Sequence, residues 1–291
     1  MSCKQTFVWK KYFVKKGREK IWFKLWVYDH YTVKELCRLS GYSDFKIKSI
    51  KRFWLQRIPE FSPDFHDIKY VVYDGTYFHK TGCLINFMNA LDQTILDPLY
   101  APKEGGNIIL SWLDAFKAQG LKPLYLTMDG EQSTMKIIRQ LWPGIKIQRC
   151  LYHIQHEGMR WLRTYPKTQA GKELRKLLLT LCSIKAVKER NDFIYTYKRW
   201  LKQYKDFIFS LPMTIKANFD LKRTISLIDH ALPDMFHFLM DPNIPSTTNS
   251  IEGFHSRLKP AYHQHRGLSQ ANKIRFLKWY CYFENQQKIN N

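Results

Sequence analysis

Two short apolar runs in this 291-residue chain each end in an acid followed by glycine. Ile68-Lys69-Tyr70-Val71-Val72-Tyr73 runs into Asp74-Gly75, and Pro123-Leu124-Tyr125-Leu126-Thr127-Met128 runs into Asp129-Gly130. Runs this rich in β-branched and aromatic residues read as strands buried on both faces. Open α/β sheets carry their sites beyond the carboxyl ends of such strands, so Asp74 and Asp129 are expected together at one mouth of a sheet. Converging carboxylates suit hard divalent cations, and paired cations of that kind act on phosphodiesters. With a third acid from downstream, the two aspartates are expected to hold metal ions that act on DNA.

The candidate for the third acid is Glu252, in Asn249-Ser250-Ile251-Glu252-Gly253-Phe254-His255-Ser256-Arg257-Leu258-Lys259. The spacing predicts a helix from Asn249 with Ile251, Phe254 and Leu258 as its apolar stripe and Glu252 beside that stripe. Asn249 with Glu252 three residues on is also capping-box spacing, a reading that needs no catalysis. Cys150 and His153, one turn apart, have the spacing of half a zinc site, but no second ligand pair follows, so packing or positioning is the other reading. Of the lone histidines, His255 is the one to test, one turn beyond Glu252. Arg257, Lys259 and Arg266 are candidate phosphate contacts, or a solvated basic face. Glu104 and Glu131 are alternative acids, though neither ends a buried strand.

The elements that must position these residues follow from the pattern. Thr32 can cap a helix with Val33, Leu36, Cys37 and Leu39 on one face and a stop at Ser40-Gly41. Ser43 caps a second, with Phe45, Ile47, Ile50, Phe53, Trp54 and Leu55 inward and Lys46, Lys48, Lys51 and Arg52 outward. Two short helices around a glycine, the second one basic, fit a DNA-reading helix-turn-helix at about residues 32–57, or an ordinary helical hairpin. Pro59 and Pro63 mark a linker. Further strands are expected at Thr81 to Ala90 and Gln93 to Leu99, a helix from Gly105-Gly106-Asn107 to Gly120, a helix at Ser133 to Leu141, and a last strand at Ile145 and Ile147. Residues 149–240 have no strand pattern and read as an all-helical insertion, with helices at Lys172 to Leu181, Val187 to Tyr204 and Leu221 to Leu239. Helices at Thr247 to Lys259 and Ser269 to Asn285 close the chain. The fold class is therefore α/β, a mixed sheet interrupted by helices and preceded by a helical region. Its boundaries are 1–66, 67–148, 149–240 and 241–291.

Charge sharpens the partner. The 47 Lys+Arg against 25 Asp+Glu give +22, which favours a polyanion. Residues 1–66 hold 15 basic and 6 acidic side chains, residues 67–148 hold 8 and 8, residues 149–240 hold 17 and 8, and residues 241–291 hold 7 and 3. The Asp-Gly strands thus lie in a neutral segment between basic flanks, as a metal centre between DNA-gripping regions would. Hydrophobic content of 45% argues against disorder. The six cysteines form no CxxC pair, which excludes a disulfide framework and fits a reducing cytosol. No stretch approaches the roughly 20 apolar residues a membrane helix needs.

Taken in order, Tyr73-Asp74-Gly75, Met128-Asp129-Gly130, Gln148-Arg149-Cys150-Leu151-Tyr152-His153, and Thr247-Thr248-Asn249-Ser250-Ile251-Glu252 with Arg257 and Lys259 resemble the Mutator-type insertion-sequence transposases of bacteria. The resemblance spans about residues 67–285 and lies in the order of four motifs that are individually weak. It implies a ribonuclease-H-like sheet with a helical insertion. It also implies a catalytic Asp74, Asp129, Glu252 triad binding two Mg²⁺, with Mn²⁺ as a substitute, and Cys150 and His153 at the family's Cys-x-x-His positions. The implied activity is cleavage and transfer of DNA ends in a bacterial cytoplasm at the nucleoid. The implied partners are terminal inverted repeats and target DNA, and the implied assembly on DNA is a homodimer or larger. A ribonuclease-H-like nuclease without strand transfer, or an inactive DNA-binding derivative, are the alternatives. Cys3 to Phe7 resembles the tail of a zinc ribbon whose partner cysteines are absent.

Overall fold

The computed structural model describes residues 9–78, 82–265 and 267–289; Cys3 to Phe7 lies outside them. Three helices open the chain: α1 (Trp9–Val27), α2 (Val33–Ser40) and α3 (Asp44–Leu55). Thr32 and Glu35 close a reciprocal capping box on α2, Gly41 ends it at φ +69°, and Ser43 caps α3. The helical hairpin thus forms where its caps place it.

Its inner face differs from the expected one. Ile47, Ile50 and Leu55 are buried, whereas Phe45, expected inward, is 82% exposed. Lys51 falls four residues after Ile47, on the buried stripe, and its ammonium lies 4.0 Å from the Trp26 ring centroid. Lys46 is 2.5 Å from the buried carboxylate of Glu19. Lys48 and Arg52 stay exposed. Helix α1 carries no clear periodicity because its aromatics face several neighbours at once: Phe23 contacts the rings of Trp26, Trp54, Trp279 and Phe283.

The sheet contains β1 (Tyr70–Tyr77), β2 (Cys83–Asn89), β3 (Leu99–Ala101), β4 (Tyr125–Met128) and β5 (Lys146–Arg149), in the order β3-β2-β1-β4-β5. Strands β1, β2 and β3 pair antiparallel, and β1, β4 and β5 pair parallel. The strand expected at Gln93 to Leu99 reduces to a single bridge, Met88 with Ile95, followed by β3. Helices α4 (Asn107–Ala118) and α5 (Gln132–Leu141) supply the crossovers of the parallel part.

After β5 come α6 (Leu151–Leu162), α7 (Gln169–Leu179), α8 (Val187–Ser210) and α9 (Lys216–Ala231), then α10 (Asn249–Gln264) and α11 (Gln270–Ile289). Helix α6 is an addition to the sequence reading. It begins directly behind β5, with Cys150 as an N-cap residue that makes no side-chain cap bond.

Two cores sandwich the sheet. Val71, Tyr73, Ile85, Phe87, Leu126 and Met128 pack against residues of α4 and α5. Val72, Leu84 and Met88, on the opposite face, share a core with α1 to α3, α10 and α11. The period-2 alternation of strands therefore puts Asp74, two residues after Val72, on the face that α10 covers. No helix among the described residues is long and apolar enough to cross a membrane.

Candidate active site

The two aspartates hold equivalent positions in the sheet register. Val72 of β1 pairs with Thr127 of β4; the same offset of 55 carries position 74 onto 129. The parallel ladder stops at Val72 and Thr127, two residues short of the aspartates, but β1 continues to Tyr77 because β2 remains its antiparallel partner. Asp74 thus lies within a strand, two residues past the last parallel pair, and the strand end expected at Asp74-Gly75 comes at Tyr77.

Asp129 folds back on its own turn, its Oδ1 accepting from the amides of Gly130 at 2.5 Å and Glu131 at 3.0 Å. Gly130 is needed on two counts. Its φ is +131°, and an added Cβ would meet the Arg149 guanidinium at 2.1 Å. Arg149, only 5% exposed, donates from Nε to the Asp129 carbonyl at 2.7 Å. Burial draws that guanidinium below its ordinary range, and the charge of Asp129 opposes the change.

Helix α10 reaches Asp74 through His255, which is 4% exposed. Its Nδ1 is 3.2 Å from Asp74 Oδ2, and its Nε2 is 2.7 Å from Asn86 Nδ2. Asn86 lies opposite Asp74 across the β1–β2 ladder. An amide donating to Nε2 leaves the ring proton on Nδ1, where it donates to Asp74. His255 is thereby a positioning residue for Asp74.

Glu252, one turn earlier, faces a different group. Its Oε1 accepts from the Thr248 hydroxyl at 2.6 Å and lies 3.7 Å from His153 Nδ1. The N-cap of α10 is Thr248, whose side chain makes no cap bond to the helix amides. The capping box expected between Asn249 and Glu252 is therefore not formed. Cys150 Sγ accepts from the Thr248 amide at 3.3 Å. Among the described residues, Cys150, His153 and Glu252 are the one set of three metal-competent side chains whose ligand atoms lie within 4.8 Å of one another. Asp74, Asp129 and Glu252 do not form such a set. They share the neighbourhood through intermediaries: Asp129 and Glu252 both act on the charge of His153, and α10 carries both Glu252 and His255. The hydrogen bond to Cys150 lifts His153 to about 9, against burial and with help from the charges of Cys150, Glu252 and Asp129.

The acid that sequence reasoning set aside is Glu104. Its carboxylate covers Gly75 so closely that a Cβ there would meet Oε1 at 1.7 Å. Burial, then the charges of Asp129, Asp74 and Glu131, push Glu104 up to about 7. Glu131 has another task, capping α5 through the amides of Ser133 and Thr134. Of the basic candidates, Lys259 is exposed, and Arg257 is partly committed to Glu284 at 2.7 Å. Arg266 lies outside the described residues.

No family model matches this chain, and no curated protein matches it. Among solved structures, it aligns with the cryoEM structure of a simian T-cell lymphotropic virus intasome in complex with the PP2A regulatory subunit B56 gamma. That alignment has 14% identity over 69% of this chain and 66% of that one, at a TM-score of 0.24. A score of that size carries no argument about the fold.

Proposed function

We propose that this chain is a DDE transposase of the Mutator type, with a ribonuclease-H-like core. In this reading it binds the terminal inverted repeats of its own mobile element, cuts the DNA and joins the freed 3′ ends to a target. The observation that supports the reading is that Asp74 and Asp129 each follow the last parallel pair, Val72–Thr127, by two residues, with His255 of α10 3.2 Å from Asp74. The +22 charge supports a DNA partner.

The oxygen donors of Asp74 and Asp129 fit Mg²⁺ or Mn²⁺. Burial, then the charges of Asp129, Asp74 and Glu131, push Glu104 up to about 7, and a cation would offset the part that comes from those charges. Asp74, Asp129 and Glu252 would hold the ions, which when bound activate the attacking hydroxyl and neutralise charge developing at the phosphate. The chain's own residues supply orientation. His255 fixes the Asp74 carboxylate and the Gly130 and Glu131 amides fix that of Asp129, while Glu252 would turn from Thr248 to join them. Lys259, exposed on α10, would contact the DNA backbone. Lys48, paired with Asp44 at 2.7 Å, and Arg52 of α3 present the corresponding charge on the helical hairpin, while Lys46 and Lys51 are engaged with Glu19 and Trp26 of α1. Pairing two DNA ends calls for a homodimer or larger.

The test uses oligonucleotides carrying the element's ends with Mg²⁺ or Mn²⁺. Nicking and joined products are expected, and Asp74→Ala should abolish both while leaving DNA binding intact. Nicking without joining would establish a nuclease. Binding without either reaction would leave only a DNA-binding protein.

A further inference from the structure

The Cys150, His153 and Glu252 cluster has a donor set unlike that of the aspartates. A thiol sulfur and an imidazole nitrogen are soft and borderline ligands, which select zinc-class ions over Mg²⁺. Zinc binds sulfur at about 2.3 Å, nitrogen at about 2.0 Å and carboxylate oxygen at about 2.1 Å. Tetrahedral geometry then sets neighbouring donor atoms roughly 3.4–3.6 Å apart. His153 Nδ1 and Glu252 Oε1 stand 3.7 Å apart, and all three ligand atoms lie within 4.8 Å. Modest side-chain rotation closes that difference.

The backbone around the cluster is already tied down. Cys150 donates its amide to Met128 of β4 at 2.8 Å, and Leu151 donates to Ser246 at 2.9 Å. Thr127 reaches from the sheet to the Pro245 carbonyl at 2.8 Å. The start of α6 and the segment leading into α10 are therefore clasped to the same strand. Cys150 stands as the N-cap residue of α6, and its sulfur accepts from the Thr248 amide at 3.3 Å. The Thr248 hydroxyl orients Glu252 from outside the ligand set, as outer partners of metal sites do. His153 and Glu252 are about a third exposed, at 31% and 32%. That leaves the side opposite the buried sulfur open for a water.

We propose that Cys150, His153 and Glu252 form a binding site for one zinc-class ion, completed by solvent and separate from any Mg²⁺ held by Asp74 and Asp129. The site clasps α10 to α6. It stands on its own geometry, whether or not the chain acts on DNA. Should the chain be a transposase, an ion here takes Glu252 for itself, so zinc would slow Mg²⁺-dependent cleavage.

The experiment titrates the chelator-treated full chain with Zn²⁺ and with Co²⁺ as a spectroscopic stand-in. One tightly bound equivalent is expected, with a thiolate-to-cobalt charge-transfer band and, by X-ray absorption of the zinc form, one sulfur neighbour at about 2.3 Å. Cys150→Ser should remove the sulfur signature. His153→Gln, at a part-exposed position whose loss leaves the core intact, should weaken binding roughly a hundredfold. Asp74→Asn should leave both unchanged. Absence of the sulfur signature in the wild-type protein would overturn the proposal, as would its loss on Asp74→Asn or unchanged affinity in His153→Gln. The spectra of wild type and His153→Gln decide the matter even if Cys150→Ser does not fold.

Discussion

Replacing Glu104 by Gln tests the electrostatics of the sheet end directly. In the fold its carboxyl titrates at about 7, against 4.5 for the free group, because burial and the charges of Asp129, Asp74 and Glu131 disfavour ionisation. Between those values the folded chain holds a proton that the unfolded chain has released. Stability therefore falls as pH rises from 4.5 and levels off above about 7. A tenfold difference in proton affinity between the folded and unfolded chain is worth about 1.4 kcal/mol, so the bare effect would be about 3 kcal/mol. Glu104 is only partly buried, and solvent screening reduces that to about 1–2 kcal/mol. Glu104→Gln keeps the shape and cannot ionise. Urea or thermal unfolding should find it about 1–2 kcal/mol more stable than wild type at about pH 8, or roughly 3–5 °C in Tm, and equal to it near pH 4.5. Saturating Mg²⁺ should narrow the gap, since a cation beside the aspartates lowers the cost of ionising Glu104. An equal difference at both pH values would refute the electrostatic account and leave only a packing effect.

Other perturbations probe the neighbouring parts. His255→Phe removes the 3.2 Å contact to Asp74; DNA nicking should fall about 10- to 100-fold in kcat, with DNA affinity unchanged in a gel-shift titration. His265 sits against the rings of Trp26 and Phe276, and burial, then the charge of Lys51, lowers it to about 4 from 6.5. The fold favours its neutral form, so the stability present above 6.5 is lost as pH falls toward 4, and His265→Leu should flatten that acid limb in urea melts. Lys48→Gln and Arg52→Gln remove exposed charges of α3, and each should reduce the salt slope of DNA binding by about 1 if α3 lies against phosphates.

The parts of this structure legible in the sequence are those fixed by local chemistry. The β1 and β4 runs need only their own apolar patterns, and α2 and α3 only Thr32, Gly41 and Ser43. Sequence and structure part where a helix meets more than one neighbour. Phe45 looks internal on apolarity alone, yet Ile47 and Ile50 set a stripe that includes Lys51 and turns Phe45 outward. Helix α1 packs on α3 and α11 together, which dissolves the one-sided period that would have marked it. Glu104 is out of reach for another reason: its role comes from a loop crossing over β1, and the local sign is small residues, with Gly75 beneath it and Gly105-Gly106 behind. Cys150 and His153 are visible as half a site. Their third partner lies 99 positions beyond His153 (252 minus 153) and meets them only because the Pro245–Thr248 segment is pinned to β4 and α6.

That pinning gives α10 a double role. Glu252 and His255 are three residues apart on one face of the helix, and one reaches His153 while the other reaches Asp74. Helix position is set at the His255 end by a buried chain running from Asp74 through the imidazole to Asn86. At the Thr248 end, a single hydroxyl proton lies between Cys150 Sγ at 3.3 Å and Glu252 Oε1 at 2.6 Å. One proton cannot serve both, and the shorter contact goes to the carboxylate, so the sulfur is held by the Thr248 amide and by His153. Glu252 is therefore held toward the sulfur and nitrogen donors by the residue before its own helix, and only rotation of its side chain away from Thr248 would bring it to the aspartates.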